Sequence, residues 1–134
     1  MRGEMRRAQP ERALQKRVVE WLNLSVPPPP DGPFWTAINP NSGKRSLHAA
    51  VLSKAMGLKA GMPDLLFLWK GQLLWVELKA AKGSVSKAQK ATHQALKDAG
   101  SIATVVCKSE QELSDVLDSW GCRGLKRILE VRRA

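Results

Sequence analysis

The chain has 134 residues, 43% of them hydrophobic and 25% charged, with 22 Lys plus Arg against 12 Asp plus Glu for a net charge of +10. That length carries one ordinary globular domain and excludes a second core. The basic excess calls for a polyanion, most commonly nucleic acid, although an acidic protein or an anionic membrane surface would also answer to it.

The first residues, MRGEMRRAQP, read as a basic extension, and the segment ERALQKRVVEWLN from 11 to 23 as a helix. Leu14, Val18, Trp21 and Leu22 recur at helical spacing, and Pro10 stands just before them, where proline suits the first turn. The run SVPPPPDGP ends the helix and leads into a short strand around FWTAIN. The polar turn NPNSGKRS follows, and LHAAVLSKAMG is a helix closed by Gly57. DLLFLW and QLLWVELKA are apolar runs split by Lys70 and Gly71, which predicts a β-hairpin.

Beyond the hairpin, SKAQKATHQALKDAG carries Ser86 three residues before Gln89, a capping box, and ends at Gly100. SIATVVCK is a strand, and SEQELSDVLDSW a helix with Ser109 at its start. The fold class is therefore α/β, a sandwich of helices around a central mixed sheet, with the domain over 11–120. The basic tail 121–134 is either a short helix or an arm. Cys107 and Cys122 lack metal-ligand spacing and read as free thiols, which makes a zinc site unexpected. A signal core and a membrane-length apolar run are both missing from the sequence, so the expected location is cytoplasmic.

The hairpin holds three charges that a buried sheet does not ordinarily tolerate. Side chains alternate along a strand, so Glu77 and Lys79 point to one face with Leu73 and Trp75, while Leu74, Val76 and Leu78 point to the other. Asp64 opens the preceding strand, and a hairpin places that start beside the end of its partner. Two carboxylates held together repel unless protons or a cation intervene, and oxygen ligands with room for water suit Mg²⁺ or Mn²⁺. A lysine beside them can neutralise charge or steady a nucleophilic water. A Glu-x-Lys triplet alone would be a surface salt bridge. Its apolar flanks, the register of Asp64 and the basic chain favour a catalytic site. Glu11 falls within the apolar stripe of the first helix, where it either serves the helix dipole or faces a polar site, and Gln15 on the same stripe favours the site.

ERALQ, GMPD, WVELK, GSVSKAQ and VVC together resemble the VRR-NUC domain of the PD-(D/E)xK nuclease superfamily, from Glu11 to about residue 113. The resemblance implies a restriction-endonuclease-like fold and a metal-dependent endonuclease of branched DNA, such as a Holliday junction or flap. It implies Asp64, Glu77 and the Leu78 backbone carbonyl as ligands of Mg²⁺ or Mn²⁺, and Lys79 as the residue that positions or activates water. Glu11 matches the first-helix acid and Gln89 the motif glutamine, although Gln89 is equally the capping partner of Ser86. Asn39, Asn41, Lys44, Arg45 and Lys82 are the phosphate-facing candidates, with a solvated turn the alternative for the loop residues. His93, one turn beyond Gln89, is left outside the site as a packing or surface residue. The chain looks like the standalone, phage-like form, for which a homodimer is expected. A non-catalytic nucleic-acid-binding module and an assembly protein with an acidic partner are the competing functions.

Overall fold

The computed structural model describes residues 2–38 and 47–121, with side chains from 10–38 and 51–121. Helix α1 (Arg2–Ser25) leads to strand β1 (Phe34–Ala37), helix α2 (Leu47–Ala55), strands β2 (Leu65–Trp69) and β3 (Gln72–Leu78), helix α3 (Lys87–Asp98), strand β4 (Val105–Cys107) and helix α4 (Glu110–Ser119). This is the expected order around a mixed sheet. The strands lie in the order β1-β2-β3-β4, antiparallel except for the parallel β3–β4 pair.

Two boundaries differ from expectation. Helix α1 starts at Arg2 rather than Glu11, with Pro10 inside it. Proline withholds a single amide there, and the part that packs on the sheet is the segment the apolar spacing marks. Strand β4 is confined to Val105–Cys107, since residues 101–104 carry the chain from the end of α3 to the sheet edge.

The hairpin turns on Lys70 (φ 49) and Gly71 (φ 80), with Trp69 paired to Gln72. Two successive positive φ values match the twist of the flanking strands, and this turn fixes the register of everything after it. Leu74, Val76 and Leu78 thereby share one face with Leu65, Phe67 and Cys107, and Leu14, Val18 and Leu22 of α1 and Leu113 and Leu117 of α4 close the core over them. At about 1.5–3 kcal/mol per buried aliphatic side chain, this layer is the main source of stability. The ion pair Arg17–Glu110 at 3.0 Å joins α1 to α4, but its exposed partners contribute only about 0.2–1 kcal/mol.

Helix α3 stands over the opposite face, where Trp75 and Glu77 point. Ser86 accepts from the Gln89 amide at 3.2 Å and Gln89 Oε1 accepts from the Ser86 amide at 2.9 Å, completing the expected capping box. Thr92 Oγ1 donates to the Ala60 carbonyl at 2.6 Å, tying the helix to the turn before Asp64. Gly61 has φ +75, and a Cβ on it would lie 2.5 Å from the Ala88 carbonyl oxygen, so this turn and the start of α3 touch backbone to backbone. Cys122 and the tail beyond it lie outside the described residues, as do Asn39, Asn41, Lys44 and Arg45.

Gly61→Ala should therefore destabilise the protein more than Gly71→Ala. Both positions need positive φ, at a cost of about 1–2 kcal/mol for a residue with a side chain, but only Gly61 adds a backbone clash; a Cβ at Gly71 meets nothing within 4 Å. Denaturant melts of the two variants measure the difference.

Candidate active site

Three strand ends meet where β2 begins. Ile38 donates its amide to the Asp64 carbonyl at 3.0 Å, extending the β1–β2 ladder, and the Lys79 amide donates to Cys107 at 3.0 Å, extending β3–β4. Since the odd residues of β3 thus turn their backbone groups toward β4, Leu78 turns its own toward β2. The register, Leu65 opposite Val76, puts Pro63 opposite Leu78. Proline has no amide proton to give the Leu78 carbonyl, and Asp64 Oδ2 takes the Leu78 amide at 2.7 Å in place of a strand partner. The Leu78 carbonyl is left facing the Asp64 side of the sheet with no ladder donor.

Glu77 is 1% exposed and Lys79 7% exposed, so neither is a surface charge. Lys79 Nζ lies 3.7 Å from Glu11 Oε1 and 3.8 Å from Glu77 Oε1. The helix acid does face the hairpin, as its place in the apolar stripe allows. Gln89 Nε2 donates to Glu77 Oε1 at 2.7 Å while its Oε1 serves the cap, so one amide does both jobs the sequence offers it. The structure thus brings together Glu11, Asp64, Glu77, Leu78, Lys79 and Gln89. Lys82 is exposed in the turn between β3 and α3.

His93, left outside the site in the sequence reading as a packing or surface residue, packs beside Glu77. Its Nε2 is buried and sits 3.4 Å from Glu77 Oε2. The signal was present, since a residue four after Gln89 on a helix shares its face, but helical spacing does not say which face meets the sheet.

Burial pushes the Glu77 carboxyl up to about 8, the Asp64 charge adds to the shift, and Lys79 partly offsets it. Burial also raises Asp64, against the Leu78 amide and Lys79, which favour its charged form. Burial lowers His93. A cation would relieve this pair. Glu77 Oε2 is a buried oxygen without a hydrogen-bond partner, which fits a hard divalent ion together with an Asp64 oxygen and the Leu78 carbonyl. Among the described residues no three His, Cys, Asp or Glu side chains close around one point.

A mixed sheet with paired carboxylates and a lysine at the mouth of its hairpin is an arrangement suited to hydrolytic chemistry. The family model for the VRR-NUC domain matches residues 9–111, more than half the chain, so the protein belongs to that nuclease-type family. A solved structure described as a VRR_NUC domain protein superposes with a TM-score of 0.59 at 23% identity, covering 81% of this chain and 84% of the other, which supports the common fold. No curated protein matches the chain. Among the described residues no helix is long and apolar enough to cross a membrane.

The carboxyl pair gives metal-free stability a definite pH dependence. Glu77 keeps its proton to about pH 8 when folded, against an ordinary value of 4.5, so between those values the native state binds more protons than the unfolded chain. Stability should fall as pH rises through that window. In EDTA, melting temperatures from pH 4.5 to 8 should decline for the wild type and decline less for Glu77→Gln, which keeps an oxygen for Gln89 Nε2.

Proposed function

We propose that the protein is a divalent-metal-dependent DNA endonuclease that hydrolyses phosphodiester bonds, selective for branched DNA and acting as a homodimer. The observation that carries the catalytic part is the buried Glu77 carboxylate, with Asp64 and Lys79 beside it and its Oε2 unpartnered. A carboxylate buried with one oxygen left unsatisfied destabilises the fold, which favours a role in binding and chemistry.

Asp64, Glu77 and the Leu78 carbonyl would hold Mg²⁺ or Mn²⁺, which supplies a polarised water and positive charge beside a phosphate oxygen. Asp64 is preorganised by the Leu78 amide and Glu77 by Gln89. Lys79 Nζ, held between Glu11 and Glu77, steadies the attacking water and offsets charge on the phosphate as the bond breaks. Glu11 keeps that ammonium directed at the site. The net charge of +10 supplies sequence-independent attraction to DNA, and Lys82 with Asn39, Asn41, Lys44 and Arg45 are the proposed phosphate contacts. Branched-DNA selectivity and the dimer follow from the family reading, because a two-fold enzyme addresses both strands of a symmetric junction.

Purified protein with Mg²⁺ or Mn²⁺ and a panel of duplex, single-stranded, flap and four-way DNA tests this function. Asp64→Asn and Glu77→Gln should abolish metal-dependent cleavage while remaining folded; near wild-type rates from either would remove the site. Lys79→Met should bind DNA and metal yet lower single-turnover cleavage by about 10²–10³-fold, the loss typical of one charge-stabilising donor.

DNA binding should weaken steeply and linearly on a log–log plot against salt, because bound Lys and Arg release condensed counterions. A flat salt dependence in a filter-binding titration would turn the basic surface toward an acidic protein partner instead.

A further inference from the structure

Two buried atoms in this site have no hydrogen-bond partner and face each other: Glu77 Oε2 and His93 Nε2, 3.4 Å apart. Direct N–H···O bonding would bring them to about 2.9 Å with good alignment, and they make no such bond. An ion between them fits better. With ligand distances of about 2.1 Å for nitrogen and oxygen donors, the observed separation gives a bite close to the tetrahedral angle.

We propose that His93 Nε2 and Glu77 Oε2 jointly take one divalent ion of the transition-metal type, Mn²⁺ or Zn²⁺ in preference to Mg²⁺. Carboxylate, carbonyl and water oxygens are the donors Mg²⁺ favours, whereas an imidazole nitrogen shifts preference toward ions later in the first row. The remaining coordination positions of this ion fall to Asp64 and the Leu78 carbonyl, the ligands already proposed beside Glu77, and to water. Glu77 is suited to this sharing because Gln89 occupies its Oε1 and leaves Oε2 for the ion. His93 itself is placed by the same helix start that seats Gln89, anchored at Thr92 to the Ala60 carbonyl. The inference rests on the reading of Glu77 as a cation ligand.

Nitrogen-15 histidine spectra of the metal-free protein, titrated with Zn²⁺, test ligation directly, since the chain holds only two histidines. The Nε2 resonance of His93 should shift and the ring should settle in the Nδ1–H tautomer. Calorimetry supplies the second readout: His93→Ala, which removes a direct ligand, should weaken Mn²⁺ binding by at least the roughly 10-fold that loss of a mere supporting partner costs, and change Mg²⁺ binding by less than about twofold. A stationary His93 resonance overturns the inference, and so does a folded His93→Ala protein with the wild-type ratio of Mn²⁺ to Mg²⁺ affinity. If His93→Ala does not fold, the wild-type spectrum still decides. Failure here with cleavage still lost in Asp64→Asn leaves the nuclease reading standing; wild-type protein that binds neither Mg²⁺ nor Mn²⁺ overturns both.

Discussion

The burial of one carboxylate, Glu77, in the central region of a four-stranded sheet constrains the rest of the molecule. Taking a charged carboxylate out of water costs several kcal/mol unless partners replace its hydration. Each surrounding element commits a group to it or to its neighbours. The residue after β3 supplies Lys79, α3 supplies Gln89 and His93, and the residue before β2 supplies the second acid, Asp64. Helix α1 adds Glu11 on the far side of the ammonium. With a raised pKa on Glu77 and one of its oxygens unsatisfied, these partners leave the site short of a positive charge.

The strand can carry this burden because its two faces are kept apart. Leu74, Val76 and Leu78 join the apolar layer under α1 and α4, and the intervening residues face α3. A slip of one residue would exchange the two sets and place Glu77 in the aliphatic layer. The Lys70–Gly71 turn on one side and the parallel pairing of Glu77 with Val106 on the other prevent that slip. Stability is concentrated on one face of the sheet and chemistry on the other.

Local structure and site also share single residues. Gln89 completes the capping box with one end of its amide and grips Glu77 with the other. Pro63 denies the Leu78 carbonyl a ladder donor, while Asp64, the next residue, accepts the Leu78 amide. Gly61 permits the close backbone approach that sets the start of α3 over the sheet. In the GMPD segment, a turn, a missing donor and an acid follow one another within four residues, which explains how so short a motif can be informative.

Much of this was legible in the sequence. Period-2 alternation put Glu77 and Lys79 on one face, the hairpin brought Asp64 to them, and the wheel position of Glu11 pointed it inward. These readings depend on short-range geometry, which dihedral preferences and side-chain alternation determine. The start of α1 was misplaced because proline is tolerated within a helix when the turns on either side are otherwise satisfied. The place of His93 beside Glu77 was not legible because it depends on the distance between α3 and the sheet, and that distance is set by Gly61, Thr92 and Ala88 meeting across more than twenty-five residues of chain. The sequence by itself thus determined the elements, the core stripe and the carboxylate–lysine cluster, each a matter of local periodicity. Only the tertiary structure decided that Gln89 serves cap and site at once and that His93 faces Glu77 Oε2, because both follow from how a helix is seated on a sheet.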